Sequence, residues 1–105
     1  MNVLPLGHRD PVCVIAGVDT LSDVNLCVRD LLSNVHTIVP DFVRGSSGLT
    51  PFTEEGLLHV WINGSTIFIP ALVATADNLP HQCQALLGVP AIDDLGISLD
   101  AQKQL

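Results

Sequence analysis

The sequence predicts a mainly β domain with one or two short helices. Two β-rich runs flank Asn63-Gly64, an apolar run follows a turn cluster near the start, and Pro90 and Gly96 stand where a short helix would begin and end. The chain has 105 residues, which suits one small core and leaves no space for a second. We therefore expect residues 1–105 to form a single domain.

The first predicted element is a hairpin that leads to an acid. Residues 3–6 can form a short strand, and the turn cluster of residues 7–11 leads back into the apolar run of residues 12–18. Asp19-Thr20-Leu21-Ser22 follows that run directly. An acid at the end of a buried strand is suited to proton chemistry, because desolvation and neighbouring charges change how readily it ionises. Acids at strand ends are also common as turn or cap residues.

The middle of the chain gives weaker signals. From Val24 to Val35 the apolar residues recur at helical spacing, so periodicity alone predicts a helix there. Residues 40–48 then include a proline, an arginine, two glycines and two serines. This composition favours a mobile connection over a packed element.

The second hairpin has the clearest signal. Asn63-Gly64 joins the β-rich runs of residues 57–62 and 66–73, and this dipeptide is the strongest short-range indication of a type I′ turn. Asn63-Gly64-Ser65 also matches a glycosylation acceptor, but the turn is the favoured interpretation because no secretory signal precedes it. Pro70 is expected at a sheet edge or a strand break, since proline cannot donate to the ladder.

The last third is predicted to end in a helix and a strand. Residues 78–80 form a loop, and the apolar run of residues 85–87 follows. Pro90 fits the first turn of a short helix that Gly96 ends. Ile97 and Leu99 then point the same way on a closing strand.

Composition limits the partners. Hydrophobic residues make up 48% of the chain and charged residues 14%, so we expect some apolar surface to be buried between subunits. Four Lys+Arg stand against eleven Asp+Glu, giving a formal charge of -7 that opposes binding to nucleic acid or an anionic membrane. With neither an apolar run long enough to cross a membrane nor a signal segment, we expect a soluble, unprocessed protein. The three cysteines, interpreted below as reduced thiols, indicate an intracellular, cytoplasmic setting, and we expect the chain to be released from or embedded in a polyprotein.

The cysteines and histidines do not form a recognisable site. Cys13, Cys27 and Cys83 are odd in number and far apart, so we interpret them as reduced, mostly buried thiols. The four histidines are equally scattered. Neither a metal nor another cofactor is expected, because zinc sites draw on clustered ligands.

The order of these landmarks resembles a known family. An apolar strand ends in Asp-Thr-x-Ser, a glycine-containing hairpin and paired strands follow, and Leu-Leu-Gly precedes a short helix and a terminal strand. This order resembles the retropepsins, the aspartic proteases of retroviruses and LTR retrotransposons. Residues 86–100 look especially like the retrotransposon form of the C-terminal signature. The resemblance implies an acid-protease fold with one lobe per chain, assembled as a two-fold homodimer, with the C-terminal helix and dimer strand at about residues 90–100.

The resemblance also implies the site. Asp19 matches the catalytic aspartate, and Thr20 matches the hydroxyl residue that locks the two active-site loops across the dimer. Ser22 and Asp23 match positions that line the cleft floor. The flap matches residues 42–56, and its tip lies near Ser46, Ser47 and Gly48. Residues 22–27 would then be extended, with a helix beginning only around Val28, and we follow this prediction over the periodicity.

The implied chemistry needs one aspartate from each chain. Two Asp19 carboxylates side by side cannot both ionise, so they share one proton. The ionised member acts as general base on a water while the protonated member polarises the scissile carbonyl of an extended polypeptide, for example during polyprotein processing.

Leu21 is the departure from the family that bears on catalysis. Family members carry glycine where this chain has Leu21, among the substrate-binding residues, and a leucine there can crowd the substrate, the water or the other subunit. If the position needs positive φ, strain of about 1–3 kcal/mol would be added. Two hypotheses follow: an aspartic endopeptidase, or a catalytically impaired retropepsin-fold domain that dimerises or binds peptides.

Overall fold

The computed structural model describes residues 1–5, 7–45 and 48–96. The described chain is mainly β, with a curled sheet and one short α-helix near its C-terminal end. The strands are β1 (Asn2–Val3), β2 (Val12–Cys13), β3 (Ala16–Val18), β4 (Leu26–Val28), β5 (Leu32–Gly45), β6 (Gly48–Ile62), β7 (Ser65–Ala74) and β8 (Ala85–Leu87). The helix α1 spans Val89–Leu95, and two 3-10 turns span Arg29–Leu31 and Ala76–Asn78.

The sheet order places sequence-distant strands side by side. The order is β2-β1-β6-β7-β4-β8-β3, and β5 pairs with β6 outside this path. Strand β8 runs parallel to β3 on one side and antiparallel to β4 on the other, while β4 runs parallel to β7. The chain segment between β3 and β4 must therefore pass over the end of β8.

The core consists of two clusters of buried apolar side chains. The larger cluster lies under β6, β7 and β8 and includes Val3, Leu58, Ile69 and Leu87. The smaller cluster includes Leu26, Phe52, Leu72, Ala74 and Leu79. Phe52 lies in the part of β6 that pairs with β5 alone, so its burial in the second cluster attaches the β5–β6 hairpin to the main sheet.

The predicted Asn63-Gly64 turn is confirmed. Ile62 pairs with Ser65 across it, and the turn residues have φ values of 50° and 77°, as a type I′ turn requires. Pro70 lies within β7 rather than at a strand break, and it pairs with Leu57 of β6. The pairs between β4 and β7 begin only at Leu72, so no strand pair flanks Pro70 on that side.

The N-terminal hairpin is confirmed only in part. Strands β1 and β2 form an antiparallel pair, but the strand predicted over residues 12–18 divides into β2 and β3. Strand β3 pairs with β8 instead and is half-buried to exposed, so the expectation of one buried strand before Asp19 is wrong. The helix predicted near the C-terminal end is confirmed. Helix α1 has Pro90 in its first turn, and Gly96 ends it with a φ of 63°, as a left-handed C-terminal glycine does. Ile97 and Leu99, predicted to form the closing strand, lie outside the described residues.

The helix predicted to begin around Val28 is wrong. The extended conformation expected for residues 22–27 is confirmed at Leu26 and Cys27 in β4, but a single 3-10 turn follows before β5 begins. Strand β5 has register shifts between Ser33 and His36 and again between Thr37 and Asp41. Each shift breaks the two-residue alternation that identifies a strand. Residues 24–35 therefore combine β4, a 3-10 turn and the irregular start of β5, and their apolar residues together recur at helical spacing.

The prediction that residues 40–48 form a connection without regular secondary structure is also wrong in its described part. Residues 41–45 belong to β5, and β6 begins at Gly48. Val43 pairs with Thr50, and Gly45 pairs with Gly48. The glycine and proline content indicated a loop. In the structure, pairing between the two strands instead provides hydrogen-bond partners for the backbone N–H and C=O groups of an extended hairpin. Ser46 and Ser47, the predicted tip, lie outside the described residues.

The three cysteines differ in exposure. Cys27 is buried and Cys83 is partly buried, but Cys13 is exposed, so the expectation of mostly buried thiols is wrong for Cys13. Cys13 pairs with the exposed Asn2 and therefore lies on the outer face of the sheet. Within residues 1–5, 7–45 and 48–96, the structure contains no helix that is long and apolar enough to cross a membrane.

Candidate functional site

Residues 19–25, here called the Asp19 loop, follow β3 at the carboxyl end of two parallel strands. The Asp19 N–H donates to the Leu87 carbonyl over 2.9 Å, which extends the β3–β8 pairing by one residue. The Leu21 N–H donates to Asp19 Oδ1 over 3.0 Å, and the Ser22 N–H donates to the Asp19 carbonyl over 3.2 Å. These bonds form a turn that orients the partly buried Asp19 carboxylate.

The Asp19 loop is held against the start of α1. The Val89 N–H donates to the Ser22 carbonyl over 2.9 Å, and the Ser22 hydroxyl donates to the Val24 carbonyl over 2.8 Å. A Cβ atom on Gly88 would lie 2.6 Å from the Ser22 oxygen and 2.3 Å from the Val24 oxygen. Only glycine fits at this position, because backbone oxygens on both sides leave no space for a methyl group.

Asn25 anchors the other end of the loop, and the sequence analysis missed it. Its side chain is buried: Oδ1 accepts from the Gly88 N–H over 2.8 Å, and Nδ2 donates to the Pro70 carbonyl over 3.0 Å. The available signal was a polar residue between Val24 and Leu26. Its partners lie 63 and 45 residues away, so spacing could not identify them.

The β5–β6 hairpin faces the Asp19 loop. The pairs between β6 and β7 run from Ile62 back to Glu55, so residues 48–54 pair with β5 alone. Phe52 is buried in the second core cluster. Phe42 and Leu49, nearer the tip, are 61% and 60% exposed. One face of the hairpin, with Phe52 and the partly buried Val43, therefore packs on the second core cluster, and the opposite face, with Phe42 and Leu49, is open to solvent.

An open cleft of about 830 Å³, here called the Asp19 cleft, separates these two walls. The Asp19 loop contributes Asp19, Leu21, Ser22, Asp23 and Val24. The hairpin contributes residues 41–44, 49, 50 and 52, and Asp77 and Asn78 close a third side. Leu26 and Leu86 complete the lining.

The structure brings together four of the predicted site residues. Asp19, Leu21, Ser22 and Asp23 all line the Asp19 cleft. Thr20 lies exposed at the surface beside it. Gly48 begins β6 near the predicted tip, with a φ of 111°. Ser46 and Ser47 lie outside the described residues.

Leu21 projects from its wall without backbone strain. Its side chain is 91% exposed. Among the described non-glycine residues, positive φ values belong to Asn34, Asn63 and Gln82, so the strain considered for a leucine at positive φ does not arise. The consequence of Leu21 must therefore come from what its side chain meets in the cleft or on a second chain.

The lining of the Asp19 cleft is acidic. Asp19, Asp23, Asp41 and Asp77 contribute carboxylates, against the single guanidinium of Arg44. The ion pairs among the described residues join Arg29 to Glu54 and His36 to Glu55, and none of these four residues lines the cleft. Among the described residues, no ion pair therefore includes a carboxylate of the cleft lining.

Other chemically notable side chains lie elsewhere. Burial raises the pKa of the Cys27 thiol to about 12, so it is a poor nucleophile at neutral pH. Ser33 Oγ and His59 Nε2 lie 2.7 Å apart, and the His59 ring packs edge-on against Phe68 with 4.6 Å between ring centroids. Among the described residues, no three His, Cys, Asp or Glu side chains are grouped as metal ligands would be.

No protein-family model matches the chain, and no curated protein matches it significantly.

Proposed function

We propose that this chain is a retropepsin-like aspartic endopeptidase, one lobe of a two-fold homodimer, that hydrolyses peptide bonds in an extended polypeptide. The observation that carries the proposal is the position of Asp19. Its carboxylate lies at the carboxyl end of β3, is oriented by the Leu21 N–H, and opens into the cleft beneath the β5–β6 hairpin. A rigidly held acid beside a substrate-sized groove is the arrangement that general acid–base catalysis needs.

The exposed apolar surface around the Asp19 loop supports a second copy as the partner. Val18, Leu21 and Val89 are large apolar side chains exposed in the single chain, and they come from β3, the loop and the start of α1. Burying them against the same surface of a second chain would remove apolar area from water. A two-fold axis through this surface would bring the two Asp19 carboxylates together.

The mechanism then follows from two equivalent acids in one site. Two adjacent carboxylates retain one proton between them, because both cannot be ionised at short distance. The ionised carboxylate removes a proton from the attacking water, and the protonated one donates to the carbonyl oxygen of the scissile bond. Thr20, at the surface beside Asp19, is proposed to hold the two loops together through its hydroxyl.

The β5–β6 hairpin is proposed to act as the flap. Its residues 41–44, 49, 50 and 52 line the cleft with Asp19, and an extended peptide between the walls could bond to backbone groups of the strands. The predicted tip residues Ser46, Ser47 and Gly48 would close over that peptide. In this proposal, Ser22 and Asp23 contact the substrate from below.

A second candidate function rests on Leu21. Retropepsins carry glycine at this position, and here an exposed leucine side chain lines the cleft. If that side chain excludes the attacking water, the chain would be a catalytically impaired retropepsin-fold domain that dimerises or binds peptides. Asp19 would then have no chemical role.

Incubation with a diverse peptide mixture distinguishes the two functions. Purified chain is incubated from mildly acid to neutral pH, and new peptide termini are identified by mass spectrometry. The protease proposal predicts cleavage that a statine-type inhibitor blocks and that Asp19→Asn abolishes. Asp10→Asn, at an exposed turn remote from the cleft lining, is the matched control and should cleave normally. Absence of cleavage at every pH contradicts the protease and leaves the binding module.

A further inference from the structure

We infer that Asn63 is a modification site, at which the side-chain amide of the folded chain converts spontaneously to an aspartate or an isoaspartate. The reaction is intramolecular and needs water as its one co-reactant. It is independent of the proposed function, because it concerns the turn between β6 and β7 and not the Asp19 cleft. The isoaspartate form opens the β6–β7 hairpin at this turn, so the reaction limits the lifetime of the fold.

The reaction joins the Asn63 side chain to the backbone nitrogen of Gly64. This nitrogen loses its proton and attacks the side-chain carbonyl carbon, the bond from that carbon to the amide nitrogen breaks, and ammonia leaves. Water then opens the resulting cyclic succinimide at one of its two carbonyl carbons. Opening at the side-chain carbonyl gives aspartate with the normal main chain. Opening at the main-chain carbonyl gives isoaspartate, in which the main chain continues through the side-chain carbon.

The residue that follows each asparagine decides how easily this attack occurs. Glycine follows Asn63, whereas bulky apolar residues follow the other four asparagines. These residues are Val3, Leu26, Val35 and Leu79. A side chain beside the attacking nitrogen crowds its approach, and valine, with two heavy atoms on its Cβ, does so most. Gly64 has no side chain, and no atom lies within 4 Å of the place that a Cβ atom would occupy.

The surroundings of Asn63 leave its side chain able to reach that nitrogen. Asn63 and Gly64 are both exposed. Hydrogen bonds hold the side-chain groups of Asn25 and Asn78, whereas none among the described residues restrains the Asn63 amide. The amide of Asn63 is therefore held neither by burial nor by a described partner.

Asn34 is a matched comparison within the same chain. Asn34 and Asn63 have φ values of 53° and 50°, and both are exposed. They differ in the next residue, because β-branched Val35 follows Asn34 and Gly64 follows Asn63. If backbone conformation and exposure decided the reaction, the two asparagines would convert equally. The inference requires that Asn63 converts first.

The two products affect the hairpin differently. A type I′ turn accepts Asp-Gly as well as Asn-Gly, so aspartate preserves the pair between Ile62 and Ser65. Isoaspartate adds a carbon atom to the main chain of the two-residue loop and cannot reproduce the paired positive φ values of this turn. Because β6 and β7 carry the fully buried Leu58 and Ile69, opening the hairpin weakens the larger core cluster.

Ageing the whole chain in warm, mildly alkaline buffer tests the inference. A synthetic peptide of residues 58–69 is incubated beside it, and ageing ends when the peptide is fully converted. Peptide mapping by mass spectrometry, with fragmentation that identifies isoaspartate, measures conversion at each asparagine. We expect conversion at Asn63 in at least about a tenth of the chains, because turns open more readily than sheet interiors. Conversion at Asn34 should be at least about tenfold lower, because of Val35.

Two variants separate the chemistry from its effect on the hairpin. Asn63→Gly removes the reacting amide and keeps a dipeptide that type I′ turns accept, and Asn63→Asp reproduces the aspartate product. Before ageing, both variants should melt within about 5 °C of the parent. After ageing, the parent should show a second, lower-melting population and faster hydrogen exchange in residues 57–62 and 65–70. Aged Asn63→Gly should show neither change.

The outcomes are distinct. An intact Asn63 after the peptide has converted overturns the inference, and so does equal conversion of Asn34. If isoaspartate forms at position 63 but the aged parent melts and exchanges like aged Asn63→Gly, the opening of the hairpin is overturned. An equal loss of stability in aged Asn63→Gly overturns it as well. These measurements do not use peptide cleavage, so failure of the proposed protease leaves their result unchanged.

Discussion

The two walls of the Asp19 cleft are held in different ways. The Asp19 loop is fixed at several points: Asp19 bonds to Leu87, Ser22 to Val89, and Asn25 to both Gly88 and Pro70. The part of β6 before Glu55 pairs with β5 alone, and this hairpin contacts the second core cluster through the buried Phe52 and the partly buried Ile38 and Val43. One wall is therefore built into the sheet, and the other is attached to it through the side chains of one face.

The difference corresponds to two requirements of the proposed peptide hydrolysis. An acid that must act on a water at a fixed place benefits from a rigid support, since small displacements of a catalytic group cost rate. A wall that must admit an extended chain benefits from fewer restraints, because a two-stranded ribbon opens at a lower free energy than a sheet interior. The arrangement thus favours a fixed acid beneath a hairpin that can open.

Gly88→Ala should have the largest effect on stability, because the atoms next to Gly88 are backbone oxygens of the Asp19 loop, which cannot move aside for a methyl group. The added methyl group would overlap the Ser22 and Val24 carbonyl oxygens, so we expect a loss of about 3 kcal/mol or more in the free energy of unfolding. Urea denaturation measures it. Gly96→Ala is the control: it has open space but a positive φ, and should cost about 1–2 kcal/mol. Equal losses for both variants would show that crowding at Gly88 is not what fixes the loop.

Phe52→Ala should lower the local stability of the β5–β6 hairpin and leave that of the Asp19 loop nearly unchanged. Removing this buried ring from the second core cluster should cost about 3 kcal/mol. Hydrogen exchange should accelerate most in residues 41–45 and 48–52 and least in residues 19–25. Phe42→Ala, at a residue that is largely exposed, should change stability by less than about 1 kcal/mol. Equal acceleration in both walls would contradict their separate attachment.

Asn25→Ala should loosen the loop wall without removing any apolar contact. The Gly88 N–H and the Pro70 carbonyl would each lose a hydrogen-bond partner, and we expect a cost of about 2 kcal/mol. Thermal unfolding measures it, with exposed Asn2→Ala expected within about 0.5 kcal/mol of the parent. A neutral Asn25→Ala would mean that the loop is held by other contacts.

Leu21→Gly should have the smallest effect on stability and a visible one on activity. The side chain is almost fully exposed, so the free energy of unfolding should change by no more than about 1 kcal/mol. Peptide cleavage should rise if the leucine crowds the cleft, with Leu21→Ala between parent and glycine. If both variants cleave no faster than the parent while remaining dimeric in sedimentation, crowding by Leu21 is not the defect.

Local rules predicted the elements whose causes are local. The Asn63-Gly64 turn and the helix from Pro90 to Gly96 each depend on backbone preferences of a few adjacent residues. Strand β5 was mispredicted because its pairing to β6 shifts register twice. A register shift depends on the partner strand, so the sequence of one segment alone does not predict it.

The residues of the site likewise fall into those that local sequence could predict and those that it could not. Asp19 could be found because it directly follows an apolar run, and Leu21, Ser22 and Asp23 are adjacent to it. Asn25 and Gly88 could not be found, because their roles depend on contact across 63 residues of sequence. Asp41 and Asp77 reach the cleft only through the curl of the hairpin and a 3-10 turn, so their charges join those of the loop only in the folded chain.

Mixed dimers test the central claim, that two Asp19 carboxylates from two chains form one catalytic site, most directly. Asp19→Asn chains are titrated into unsubstituted chains at constant total concentration, subunits are allowed to exchange, and the initial rate of peptide cleavage is measured. If both carboxylates are required, the rate falls with the square of the unsubstituted fraction, to about a quarter at an equal mixture. A linear fall, to about half at that mixture, would mean that each chain acts alone and would contradict the shared site.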